Sequence, residues 1–177
     1  MTQHERPDAP PASIGPAFAV TPRRLGTDFR MLPLGADGPD FDGIAAASAG
    51  CVLCEGPESW SEAGLAEALA GFWRMLRPGG LLRVVTPDLD AVVQAYLYAA
   101  PDAEAASSAM RFNAWRHAVR DRFIFNEEAL RLALSRAGFV DPRRFVAGSG
   151  SDRLFWDLEP ADASLLVIEA RKPKEVV

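Results

Sequence analysis

Cysteine and histidine are scarce in this chain, with two of each among 177 residues. The cysteines, Cys51 and Cys54, stand together in "GCVLCEGPES". A redox C-x-x-C needs its first thiol at a helix N-terminus, where the thiol pKa falls. Here Gly56 and Pro57 follow at once, and a helical pattern starts only near Ser61. A zinc site would need two more ligands at matching spacing, which His4 and His117 do not supply. The pair therefore reads as two reduced, half-buried side chains, with no metal expected. No run of 18 apolar residues occurs, so no transmembrane helix is expected. A basic excess is also missing: 19 Lys and Arg against 24 Asp and Glu give a net charge of -5. That balance argues against a general nucleic-acid or anionic-membrane binder. The first ten residues are polar and proline-rich rather than apolar, unlike a secretory signal, and a cytoplasmic location is the default expectation.

What is present suits one soluble domain with a full core: 49% of the residues are hydrophobic. Residues 1–16, with Pro7, Pro10, Pro11 and Pro16, read as a disordered arm, and 17–177 as a single α/β domain. "AFAV" (17–20), "TDFRML" (27–32) and "FDGIAAAS" (41–48) are strand-like. Ser61 is a good N-cap for a helix that places Leu65, Leu69, Phe72, Trp73 and Leu76 on one face. "LLRVVT" (81–86) is the clearest strand, and "DLDAVVQAYLYAA" reads as a helix ended by Pro101. A helix is expected over 104–122, with Phe112, Trp115 and Val119 inward. Asn126 caps the next, which buries Leu130, Ala133, Leu134 and Ala137 and stops at Gly138. "DPRRFVAG" (141–148) and "SLLVIEA" (164–170) form a closing strand pair, and Phe155 and Trp156 read as core or interface aromatics.

The most informative stretch is "FWRMLRPGGLLRVVTPDLD" (72–90), in which a helix runs through Arg77-Pro78-Gly79-Gly80 into a strand that Thr86-Pro87-Asp88 closes. Proline and glycine here serve the chain reversal rather than chemistry. Together with "FNEEALRLALSRAGF" (125–139), the tail from Gly148 to Pro173 and "DFRMLPLGADGPDFDGI" (28–44), this order resembles the class I S-adenosylmethionine (SAM)-dependent methyltransferases. Within them it is similar to the small predicted methyltransferases of the methyltransferase-11 type. The likeness covers about residues 26–173. It implies a reduced Rossmann-like sheet with an antiparallel C-terminal strand pair. It also implies SAM as methyl donor, a small-molecule acceptor, and a cofactor site bordered by Asp28, Leu32 and Asp42. Asp28 would lie near the adenine, unless it is a solvated strand-edge residue.

Two features depart from that family. Its glycine-rich loop after strand one, where backbone must approach the ligand closely, has no counterpart: Gly15 and Gly26 are eleven apart with no acid between them. Where the family shows an H-x-L-E-H-like segment beside the donor, this chain reads "CVLCE". Loss of strand one would leave the next strand with unpaired backbone groups. Either "AFAV" moves in as a replacement, or a second chain, identical or different, covers the edge.

Two further residues are candidates for catalysis. Asp88 lies just past a strand at the carboxyl edge of the sheet, where it serves either as general base or, the favoured reading, as cap of the following helix. His117 lies in "RFNAWRHAVRDR" (111–122), with Arg116 and Arg120 at helical spacing. That segment is either an anion pocket with His117 as acid/base group or a solvated basic face. Two functional readings follow: an enzyme binding SAM or another small ligand through a rebuilt N-terminal segment, or a non-catalytic methyltransferase-like partner or scaffold subunit.

Overall fold

The computed structural model describes residues 17–21, 29–35, 37–98, 109–110, 112–113, 123–159 and 162–174. The expected arm (1–16) and most of the helix expected over 104–122 lie outside them.

Six strands form one sheet: β1 (Ala17–Val20), β2 (Phe29–Met31), β5 (Ala49–Glu55), β6 (Leu76–Pro87), β7 (Val140–Phe145) and β8 (Leu165–Arg171), in the order β2-β1-β5-β6-β8-β7. The first four are parallel, and β8 runs antiparallel to both β6 and β7. A separate hairpin is made by β3 (Leu34–Gly35) and β4 (Gly38–Pro39). The closing pair thus forms as expected, and "AFAV" is the replacement strand. It pairs β2 on one side and residues 51–54 of β5 on the other, so the edge expected to be open is bonded within the chain.

Side chains alternate between two buried faces of this sheet. Phe18, Val20, Val52, Cys54, Leu82, Val84, Leu166 and Ile168 point to one face. There α1 (Glu62–Met75) lays down Leu65, Ala68, Leu69, Phe72 and Met75, and α3 (Glu127–Arg136) adds Leu130 and Leu134. Both caps act as expected: Ser61 Oγ accepts from Gly64 N at 3.0 Å, and Asn126 Oδ1 from Ala129 N at 2.9 Å. Gly138 follows α3 at φ 89°, the left-handed stop that glycine allows. The other face carries Ala17, Ala19, Cys51, Leu53, Leu81 and Val85 and is covered by no α-helix among the described residues. Ala147 and Phe155, with the half-buried Leu154 and Leu158, pack there instead.

The strand expected at 41–48 is not one. Asp42 N bonds Asp40 Oδ1 (2.9 Å), Ile44 N bonds Phe41 O (3.1 Å), and Gly43 and Ala47 adopt positive φ. Turn chemistry wins there, and the strand begins at Ala49. "CVLCE" is therefore the central strand itself. Cys51 and Cys54, three apart, face opposite sides of the sheet and form no disulfide. Burial, with Glu58 and Glu55 nearby, pushes the Cys54 thiol pKa well up, the reverse of a reactive thiolate.

Helix α1 passes directly into β6. Ala49 pairs with Leu76 and Cys51 with Leu81, so Arg77–Gly80 bulges out of the ladder opposite Gly50. Gly79 sits at φ 76°, and its N–H bonds Lys172 O at 3.0 Å. Lys172 then turns its Nζ onto Trp73 O and Leu76 O, both at 2.8 Å, satisfying carbonyls that the end of α1 leaves without partners. A valine at 79 must hold a left-handed backbone. The Gly79→Val variant is expected to lose about 2 kcal/mol and roughly 4–8 °C of melting temperature, read by thermal circular dichroism.

Candidate functional site

In an open α/β sheet, ligands bind outside the carboxyl ends of the strands, at the point where chain order reverses. Here that point lies between β1 and β5. Thr21 follows β1 directly, and Glu55 ends β5. The Thr21 hydroxyl donates to Glu55 Oε2, and both residues are buried. Gly56, at φ 80°, turns the chain into a 3-10 turn over Pro57–Ser59. Glu58 of that turn accepts from Thr86 Oγ1 at 3.0 Å, and Thr86 is itself buried near the end of β6. The edge is therefore lined by hydroxyl–carboxylate pairs.

Asp88 lies one step further along this edge and is 2% exposed. Its Oδ1 accepts from Asp90 N at 3.1 Å, capping α2 (Leu89–Leu97), and its Oδ2 accepts from Arg144 Nη2 at 2.7 Å. Arg144 also reaches Glu127 Oε2 at 3.3 Å, while Glu127 Oε1 pairs with Arg131 at 2.7 Å. The hydrogen bond from Arg131, aided by Arg144, holds the Glu127 carboxyl below its usual pKa. Burial opposes the charge on Arg144, yet its bonds to Asp88 and Glu127 prevail and raise its pKa. Both oxygens of Asp88 are engaged in cap and ion pair, the structural half of the expectation.

Two of the other sequence candidates are described, and neither bonds to Asp88. Leu32 is 4% exposed, lies in the helix-side core, and donates its N–H to Ala19 O at 2.9 Å. Asp42 is exposed in the turn after β4. Asp28 and His117 lie outside the described residues. Among the described residues no three His, Cys, Asp or Glu side chains cluster as a metal site, and no helix is long and apolar enough to cross a membrane. Thr21, Glu55, Glu58, Thr86 and Arg144 escaped the sequence reading. Thr21 alone carried a signal, a polar residue just beyond an apolar strand.

The residues at the β1–β5 switch point do not fit SAM bound in the manner of class I methyltransferases. Such a site needs a glycine-rich turn after the first strand and a helix before the second. Parallel strands joined in that way need a crossover of about a dozen residues or more. Only residues 21–28 separate β1 from β2, and Gly26 is the one glycine in that sequence.

No family model matches the chain, and no curated protein matches it. Solved structures do. A SAM-dependent methyltransferase from Thermotoga maritima is 17% identical, with a TM-score of 0.45 over 75% of this chain and 59% of that one. Human N-acetylserotonin methyltransferase in complex with SAM is 14% identical, with a TM-score of 0.48 over 85% and 35%. The 1,6-didemethyltoxoflavin-N1-methyltransferase of Burkholderia thailandensis is 20% identical, with a TM-score of 0.46 over 84% and 52%. The chain thus spans about a third to three fifths of their lengths, and likeness at this level says nothing about what it binds or does. The strand order and directions of the chain itself carry the conclusion: it has a Rossmann-like α/β fold, with four parallel strands and an antiparallel closing pair.

Proposed function

We propose that this chain is a methyltransferase-like protein that does not hold SAM by itself and acts as a non-catalytic partner or scaffold subunit. The observation that carries this reading is the switch point. Thr21 and Glu55 bond to each other where a donor loop would start, and β2 follows after only eight residues, 21–28.

The partner role draws support from α2. None of its residues is buried, and Val93, Tyr96 and Leu97 on it, with Tyr98 at its end, are 42%, 43%, 63% and 81% exposed. Contiguous apolar surface of that kind marks interaction sites. β5 offers a partner no open edge, because β1 occupies it.

The test is calorimetric titration of the folded chain with SAM and with S-adenosylhomocysteine. No binding heat from either compound is the expected result. Micromolar binding of either would overturn the proposal and restore the reading of an active transferase with a small-molecule acceptor.

A further inference from the structure

The sheet face opposite α1 and α3 is closed by residues 147–159, whose one regular piece is a 3-10 turn over Arg153–Phe155. Both ends of this segment sit at the carboxyl edge. Phe145 of β7 pairs with Val167, and Leu165 of β8 pairs with Pro87. Between them Phe155 inserts at 0% exposure, its ring 6.2 Å from that of Phe29.

Beside this apolar contact the tethers are polar. Glu159 takes a fork from Arg83, Nε to Oε1 at 2.8 Å and Nη2 to Oε2 at 2.7 Å, and its Oε2 also accepts from Gly148 N at 3.0 Å. Ser151 reaches Glu169 Oε2 through its N–H at 3.1 Å and through its hydroxyl. Trp156 Nε1 closes back on Gly150 O at 2.9 Å. A cavity of about 130 Å³ lined by Arg143, Ser151, Glu169 and Arg171 brings water-sized space up to this anchor. By contrast, β5 and β6 are held by a continuous ladder over residues 51–55 and 81–85.

We infer that residues 147–159 form a releasable strap, which lifts from the sheet as one unit while β5 and β6 stay paired. A segment held by a small apolar cluster (Ala147, Leu154, Phe155 and Leu158) and a charged anchor opens at lower free energy than a central ladder. Release uncovers the apolar face of Ala19, Cys51, Leu53 and Val85. It also pulls on the edge beside Asp88, whose N–H bonds Ser164 O at 2.8 Å just past the strap. The inference is independent of whether SAM binds.

The two cysteines report on it, because Cys51 lies in the strap-side cluster and Cys54 in the helix-side core. Native alkylation with iodoacetamide, located by fragmentation mass spectrometry, is compared between the wild type and Glu159→Gln. Removing the charge from the fork should speed Cys51 labelling by about tenfold or more, with Cys54 unchanged within about twofold. Equal acceleration of both thiols, or of neither, would overturn the strap. Should that variant fail to fold, hydrogen exchange of the wild-type chain decides. The amides of Gly148, Ser151, Phe155, Trp156 and Asp157 should exchange together, about tenfold or more ahead of the β5–β6 ladder. Exchange at the ladder's rate would sink it.

Discussion

Arg83→Met is expected to cost about 3–5 kcal/mol of stability, measured by urea unfolding at neutral pH. Arg83 is 0% exposed in the middle of β6, and two carboxylates surround it: Glu159 on the strap and Glu169 opposite on β8, the latter at 2.6 Å from Nη1. Its guanidinium also stands 5.4 Å from the centre of the Phe155 ring. The loss comes less from the missing attraction than from two buried carboxylates left facing each other. The same logic gives a pH signature. In the wild type, burial raises the pKa of Glu159, but its bonds to Arg83 and Gly148 N outweigh this and hold it below the usual value. That contribution is present above the ordinary glutamate range and fades as pH falls through the lowered folded value. In the variant Glu159 loses the Arg83 bonds that hold its pKa down and keeps the burial that raises it, so stability should rise as pH falls from neutrality. A parallel pH dependence in the two proteins would show that the triad does not behave as a buried ion network. Removing both carboxylates along with Arg83, as Arg83→Met/Glu159→Leu/Glu169→Leu, should recover much of the loss. Recovery should stay incomplete, because the N–H groups of Gly148 and Ser151 would lose their acceptors.

Phe72→Ala should cost a similar 3–5 kcal/mol or so and lower the melting temperature by roughly 10–15 °C. Phe72 is 0% exposed on the inner face of α1, and its ring meets that of Phe41 edge-on, centroids 5.5 Å apart at 74°. The neighbouring packing is backbone-tight. A Cβ at Gly64, two turns earlier, would stand 2.2 Å from Asp37 O, so the β3–β4 hairpin cannot settle closer to fill the hole. No pH dependence is expected of this loss, unlike that of Arg83. A loss below about 1 kcal/mol would mean that the α1–sheet layer collapses freely around the gap.

These two residues mark how far the sequence could be read. Phe72 was legible because helical burial repeats every three to four residues, and Leu65, Leu69 and Phe72 keep that period between Ser61 and the Arg77-Pro78-Gly79-Gly80 turn. The caps at Ser61, Asp88 and Asn126 were legible for the same reason: their causes lie within a few residues. The central strand was not. From Ile44 to Cys54 the chain is small or apolar at nearly every position, as a strand buried on both faces must be. Such a run has no period to fix its ends, and local turns at Gly43 and Ala47 moved the start to Ala49.

The sequence by itself determined helices α1 and α3 with their caps, the two strands of the closing pair and the shortness of the β1–β2 connection, all consequences of local periodicity, turn chemistry and chain length. Only the tertiary structure decided what lies at a distance. It set "AFAV" between β2 and β5, brought Thr21 onto Glu55, and joined Arg83 to carboxylates 76 and 86 positions away. A charged residue inside "LLRVVT" states that a partner must exist, because an unpaired buried charge is too costly. It cannot say which carboxylate, since that depends on how the strap folds back over the sheet.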